Sequence, residues 1–183
     1  MQVIPSKIPE VLIIKPQIFA DDRGFFYESY NFAKFQKAGI LPKFIQDNHS
    51  RSIKDTLRGL HYQINPGQDK LVRVIVGEVF DVAVDIRFGS PTFGKWVGIV
   101  LSAENKQQVF IPKGFAHGFC VLSEMAEFEY KCSEFYSPQD ERGILWNDPD
   151  LGIDWPQDDP ILSEKDANNP LFKSMAKDFV YST

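Results

Sequence analysis

Cysteine is scarce in this chain. Cys120 and Cys132 are the only two among 183 residues. That is too few for the disulfide framework that holds small secreted domains together, and reduced, buried thiols in a cytoplasmic protein are expected. Long apolar runs are missing too. No stretch approaches the roughly 20 consecutive apolar residues of a membrane span. The run Val11-Leu12-Ile13-Ile14, closed by Lys15-Pro16, is too short for the core of a secretory leader, so none is expected. Nor is there an excess of positive charge. With 20 basic and 25 acidic side chains the net charge is −5, which argues against a nucleic-acid binder. Any anion held here has to be gripped by a local basic patch. Internal repeats and low-complexity segments are absent.

What is plentiful is phenylalanine, 16 residues of it. Aromatic side chains bury large areas and suit sheet interiors, and 183 residues suffice for one domain with a full core. Residues 10–14 and 25–30 read as strands joined by the turn-rich Ala20-Asp21-Asp22-Arg23-Gly24. Asn31 is placed to cap a short helix over 32–38 that stops at Gly39. A strand-rich block follows from about 44 to 136, with strands expected at 71–76, 79–86, 95–101, 107–111, 118–123 and 126–135. Gly77-Glu78, between two β-branched runs, carries the signal of a two-residue hairpin. From about 137 to 183 the chain is expected to wrap as loops, with one short helix opened by Ser163. Many short antiparallel strands with few helices predict a mainly all-β fold, a cupin-type jelly-roll barrel in a single domain. A barrel of that type encloses a pocket.

The candidate chemistry lies in Arg58-Gly59-Leu60-His61-Tyr62-Gln63, Lys70 and Pro112-Lys113-Gly114-Phe115-Ala116-His117. The spacing is that of a cupin metal site on adjacent strands. His61 holds the first histidine position and His117 the last. Gln63 stands where a second histidine belongs, and Lys70 where a glutamate belongs. A protonated lysine repels a divalent ion, and two histidines with one amide make a poor zinc or iron site. The ammonium of Lys70 instead suits a developing oxyanion. A lone strand histidine is more often a hydrogen-bonded structural residue than a catalyst. His61 reads as functional because of its company of Arg58, Gln63, Lys70 and His117. His49 has no such company.

Further motifs run the length of the chain: Asp22-Arg23-Gly24-Phe25-Phe26-Tyr27-Glu28, Gln46-Asp47-Asn48-His49-Ser50, Lys70-Leu71-Val72-Arg73-Val74, Asp81-Val82-Ala83-Val84-Asp85-Ile86-Arg87, Trp146-Asn147-Asp148-Pro149 and Ser163-Glu164-Lys165-Asp166. Any one is weak. Together and in order they make the chain resemble the dTDP-4-dehydrorhamnose 3,5-epimerases of the deoxysugar-nucleotide pathway. That resemblance implies a cupin jelly roll and a homodimer in which strands of residues 10–30 are exchanged, so that residues near 20–30 serve the neighbouring site. It implies no metal and no organic cofactor. The implied substrate is dTDP-4-dehydro-6-deoxy-D-glucose, inverted at C3 and C5 to dTDP-4-dehydro-L-rhamnose, with no nucleic-acid or membrane partner.

The resemblance also assigns roles. His61 is the base, Asp166 orients its ring, Lys70 stabilises the C4 enolate and Tyr130 is the acid on the far face. Arg23 and Arg58 are candidates for the diphosphate, with Lys165 as a further polar contact. Glu28, Gln46, Asn48 and Glu141 match ligand-contacting positions, His117 hydrogen-bonds in the pocket, and Tyr136 stacks on thymine. Without the resemblance, Asp166 reads as a helix-end carboxylate and Tyr130 as strand packing. Competing readings are a single-carbon epimerase or ketoisomerase on the same sugar nucleotide, a metal-dependent cupin, and a non-catalytic binding cupin.

Overall fold

Alternation decides the architecture. Between residues 78 and 85, Val79 and Ala83 pack in one core while Phe80, Val82 and Val84 pack in another, as successive strand residues must when both faces are covered. The computed structural model describes residues 1–181. Its strands in chain order are β1 (Gln2–Pro5), β2 (Leu12–Lys15), β3 (Phe19–Asp21), β4 (Gly24–Phe26), β5 (Gln46–Ile53), β6 (Leu57–Gln63), β7 (Lys70–Val76), β8 (Glu78–Asp85), β9 (Trp96–Ser102), β10 (Gln108–Ile111), β11 (Phe115–Val121), β12 (Met125–Cys132) and β13 (Glu141–Gly143). The helices are α1 (Phe32–Lys37), α2 (Glu164–Ala167) and a 3-10 turn at Phe172–Ser174. Ser182 and Thr183, the end of the expected wrap over 137–183, lie outside the described residues.

One sheet runs β1-β2-β10-β7-β12-β5 and a second β13-β6-β11-β8-β9, with antiparallel pairing throughout. Val72, Val74, Ala126 and Phe128 of the first face Val79, Ala83, Phe115, Phe119 and Val121 of the second in a shared core. The outer face of the second sheet (Leu60, Tyr62, Val82, Val84) is roofed by the C-terminal wrap through Ile144, Leu151, Trp155, Phe172 and Phe179. The outer face of the first is covered by Phe35 of α1 with Ile40, packed on Ile14, Leu71 and Phe110. This is the mainly all-β, cupin-type jelly roll read from the sequence.

Three local expectations change. The Gly77-Glu78 link is not a hairpin, because β7 pairs with β10 and β12 while β8 pairs with β11 and β9. Gly77 is instead the corner where the chain passes from one sheet to the other. Its φ is +78°, and a Cβ there would meet Met125 O at 2.1 Å, so only glycine fits. Strand structure after Gly24 ends at Phe26 rather than reaching residue 30, and β3 and β4 form a small separate ribbon with Phe19, Phe25 and Phe26 exposed. The tail from Asp140 contributes a strand, β13, that extends the second sheet beside β6. The helix expectations hold: Asn31 Oδ1 accepts from Lys34 N–H at 3.2 Å, and Ser163 caps α2.

Asp85 anchors the barrel end. Fully buried, it accepts from Arg87 Nε (2.8 Å) and Nη2 (2.7 Å), Ser90 Oγ (2.6 Å) and Thr92 Oγ1 (2.6 Å). Burial alone would raise its pKa, but these donors outweigh that and hold the carboxyl below its usual range. Its stabilising contribution is therefore complete above the unfolded carboxylate's pKa of about 4 and is lost as pH falls through the lower folded value. Asp85→Ala leaves the Arg87 guanidinium with Glu10 alone as a partner (2.9 Å) and strips the buried Ser90 hydroxyl and that of Thr92 of their shared acceptor, and should cost about 3 kcal/mol in denaturant unfolding at neutral pH. A loss below about 1 kcal/mol would show that the cluster is not an anchor.

Candidate active site

The inward faces of the two sheets are not packed along their whole length. They leave a cavity of about 470 Å³ lined by Gln46, Asn48 and Ser50 of β5, Arg58, His61, Tyr62 and Gln63 of β6, Lys70 of β7, His117 and Phe119 of β11, Phe128, Tyr130 and Cys132 of β12, and Gln68, Tyr136, Glu141, Ser163, Lys165 and Asp166. Every residue singled out in the sequence lines it except Arg23 and Glu28. Those two are exposed and paired locally, Arg23 Nη2 to Asp21 at 2.6 Å and Glu28 to Lys34 Nζ at 2.9 Å.

The two histidines are cross-strand partners, His117 opposite His61, in the β11–β6 ladder. The next pair is Phe119 opposite Arg58, so the register slips between them. The slip sits at Gly59 and Gly118, where the backbones nearly touch: a Cβ on Gly59 would lie 2.5 Å from Gly118 Cα and 2.8 Å from His117 O. Strict alternation puts residues 58 and 61 on opposite faces. The irregularity is what brings both Arg58 and His61 to the cavity. Lys70, expected on a strand adjacent to the histidines, starts β7 in the facing sheet. It therefore approaches the cavity from the opposite wall, beside Tyr130, with Nζ 6.0 Å from the ring centroid.

His61 Nε2 and Asp166 Oδ1 are 2.5 Å apart. Asp166 is 3% exposed and comes from α2, whose cap Ser163 Oγ accepts the Asp166 N–H at 3.1 Å. Burial would raise the Asp166 pKa, yet hydrogen bonds from His61, the Ser163 hydroxyl and the Gly59 N–H keep it lowered. It stays a carboxylate and fixes the imidazole with Nδ1 directed elsewhere. His117 repeats the motif, with Nε2 2.8 Å from Asp81 Oδ2 and both side chains buried. Phe128 lies between Phe119 and Tyr130, stacked on Phe119 at 4.2 Å between centroids.

On the wall facing His61, burial pushes the Tyr130 hydroxyl up to about 12, reinforced by Cys132 and Glu141. It is a protonated phenol at neutral pH. Burial pulls the Lys70 pKa down, opposed by Cys132, Glu141 and Asp81. At the mouth, Tyr136 Oη donates to Glu141 at 2.7 Å, and Glu141 also pairs with Lys165. Arg58, exposed, is steadied by Nε donating to Ser52 Oγ at 3.0 Å. Among the described residues, no three His, Cys, Asp or Glu side chains converge as a metal site. The available chemistry is an oriented imidazole on one wall, a phenol and a lysine amino group together on the other, and basic groups at the rim.

Asp81 was not foreseen. The available signal was an acid at an inward position between the apolar Val79 and Ala83. Gln68 carried no signal, being an ordinary polar residue in a loop, and Ser50 stood within the Gln46–Ser50 motif without being singled out.

A family model for dTDP-4-dehydrorhamnose 3,5-epimerase matches residues 5–174. The chain belongs to that family. It is 62% identical over 174 residues to a dTDP-4-dehydrorhamnose 3,5-epimerase of Shigella flexneri, covering 94% of this chain and 96% of that one. A Pseudomonas aeruginosa enzyme of the same name is 63% identical with the same coverage. The chain is also similar to a crystal structure of a dTDP-6-deoxy-D-glucose-3,5-epimerase from Legionella pneumophila in complex with dTDP-4-keto-L-rhamnose, at TM-score 0.97 and 53% identity over 100% of this chain and 99% of that one. This chain is thus an epimerase, and its cavity is the place to look for the reaction.

The backbone contact at Gly59 and Gly118 makes a prediction about this epimerase. Gly59→Ala forces the Cβ against Gly118 at a φ of +126°, and should destabilise the fold by about 2 kcal/mol while displacing His61. Turnover should fall at least tenfold at a temperature where circular dichroism still reports a folded protein. Unchanged turnover would mean that the β6–β11 slip does not set the position of His61 for the reaction.

Proposed function

We propose that this chain inverts C3 and C5 of dTDP-4-dehydro-6-deoxy-D-glucose to give dTDP-4-dehydro-L-rhamnose. The C4 ketone acidifies the hydrogens on both neighbouring carbons. His61, held by Asp166, removes a proton from one face of the sugar ring through Nδ1. The electron pair moves onto the C4 oxygen as an enolate, which the Lys70 ammonium stabilises electrostatically. Tyr130 returns a proton to the same carbon from the opposite face, inverting it. His117, fixed by Asp81, hydrogen-bonds within the sugar pocket. Arg58 and Lys165 meet the diphosphate, Gln46, Asn48 and Glu141 contact the nucleotide sugar, and Tyr136 stacks on the thymine.

The observation that carries this reading is the opposition of the His61–Asp166 pair, 2.5 Å apart on one wall, to Tyr130 with its neighbouring Lys70 on the other. Base and acid on facing sheets are what inversion requires; a reaction that removes and returns a proton on one face needs only one of them. The same opposition favours epimerisation over a non-catalytic binding role.

The enzyme works in the cytoplasm as a homodimer, strands within residues 10–30 carrying Arg23 and Glu28 to the neighbouring subunit's site. Support comes from the exposed Phe19, Phe25 and Phe26 of the β3–β4 ribbon and from the position of Arg23 and Glu28 outside their own chain's cavity.

Proton NMR of the substrate with enzyme in D₂O and a chelator should show loss of both the C3 and C5 proton signals. His61→Asn should abolish both exchanges while dTDP still binds. Tyr130→Phe should impair inversion at C5 more than exchange at C3. Exchange at C3 alone in the wild type would reduce the assignment to a single-carbon epimerase, and near-normal turnover of His61→Asn would remove the base. Subunit exchange has its own test. Mixing inactive His61→Asn and Arg23→Ala chains should restore part of the activity, since one site of each mixed dimer keeps both residues; no recovery would place Arg23 in its own subunit's site, and an Arg23→Ala variant active by itself would place it in none.

A further inference from the structure

Gln63 stands where a metal-binding cupin carries its second histidine, two residues beyond His61 on the same face of β6. Both of its amide hydrogens and one face of its amide oxygen are engaged elsewhere. Nε2 donates to the carbonyls of Pro66 (2.9 Å) and Phe135 (3.2 Å), and Oε1 accepts from Ser137 N–H (2.8 Å). The residue is 4% exposed. Two donated bonds and one accepted bond from a single planar group are what a glutamine amide supplies; glutamate donates none, and a neutral histidine donates one.

Phe135 and Ser137 flank Tyr136, and two more glutamines act on the same loop. Gln68 Nε2 donates to Glu134 O at 2.9 Å, and Gln46 Oε1 accepts from Tyr136 N–H at 2.9 Å. Residues 134–137 are thus each gripped through the backbone by a glutamine side chain. The grip matters because β12 has ended at Cys132 and the loop side chains pack little: Phe135 is 67% exposed and Tyr136 51%. Main-chain groups in such a loop would otherwise exchange among conformers, and a ligand stacking there would bear the ordering entropy.

We infer that Gln63, seconded by Gln68, is a positioning residue for nucleotide recognition. It holds the 134–137 loop so that the Tyr136 ring stands at a fixed reach from the base His61. The inference rests on the reading of Tyr136 as the stacking residue. Because Gln63 and His61 share one strand, about 7 Å apart along it, β6 sets the span between nucleobase and reacting sugar.

The test compares wild type with Gln63→Leu, Gln68→Leu, Tyr136→Leu and the Gln63→Leu/Tyr136→Leu double variant. Readouts are dTDP affinity by calorimetry, kcat and KM separately, and amide hydrogen exchange at residues 134–137 by NMR. Gln63→Leu should raise the dTDP Kd and KM about tenfold, leave kcat at saturation within about threefold, and speed exchange at the Ser137 amide. Tyr136→Leu should add little in the Gln63→Leu background, since the ring is already misplaced. Gln68→Leu should act in the same direction more weakly, and it carries the test if Gln63→Leu does not fold. Normal exchange and affinity in Gln63→Leu, with affinity lost in Tyr136→Leu, would overturn the clamp alone. Faster exchange with dTDP affinity unchanged in both single variants would overturn the nucleotide role together with the Tyr136 reading. A fall in kcat at unchanged KM would overturn positioning of the nucleotide.

Discussion

A polar cavity has to be kept open between two sheets whose other inward residues are packed solid, and the rest of the structure answers to that constraint. A polar group turned inward costs free energy unless it finds a partner. Here the partners are found one by one: His61 with Asp166, His117 with Asp81, Gln63 with the loop backbone, Asn48 Nδ2 with Cys132 Sγ at 3.7 Å. Among the described residues, Lys70 lacks such a partner. It faces the cavity close to the Tyr130 ring, burial lowers its pKa, and only charges at a distance oppose that. In the proposed reaction a cationic Lys70 in this place gains most when an oxyanion forms beside it. That is the differential stabilisation which electrostatic catalysis needs.

The replaced metal ligands take on meaning in the same terms. A cupin that binds a metal draws its donors from neighbouring strands towards one point. In this chain both imidazoles present Nε2 to a carboxylate, Gln63 faces a loop, and Lys70 projects from the facing sheet. The positive charge that a metal would supply remains, but as a side chain that need not be deprotonated or coordinated. The freed positions serve orientation.

How much of this was legible depended on the range of the signal. The motifs around His61 and His117 and the period-2 runs were each local, and they yielded the barrel and the adjacent histidine strands, but not the place of Lys70 in the facing sheet. Gly77-Glu78 was misread because a hairpin and a sheet-to-sheet corner look alike locally; what separates them is that Ser123 and Met125 crowd Gly77 from elsewhere in the chain. Asp166 lies 105 residues from His61, and nothing near it in sequence announces the contact. Only resemblance reached it, as it did Tyr130. Asp81 escaped both routes, since its meaning depends on a register, His117 beside Ala83 on the neighbouring strand, that no single strand contains.

The C-terminal wrap ties stability to chemistry. Asp148 accepts from the N–H groups of Asp150, Leu151 and Phe172, and Trp155 Nε1 donates to Trp146 O, so the Trp146–Pro149 motif staples the tail to itself. The stapled tail covers the outer face of the second sheet and, between its two anchored stretches, delivers α2 with Asp166 and Lys165 to the cavity. A helix of four residues has no stability of its own. Its position, and hence that of the carboxylate paired with His61, is therefore inherited from the Ile161 backbone bonds to Asp55 and Leu57 and from the packing of Leu151, Trp155 and Phe172 on the far side of the sheet. Loosening that outer core would disorient His61 before it unfolded the barrel, because the shared inner core of Val72, Val79, Phe115 and Phe128 does not depend on the tail.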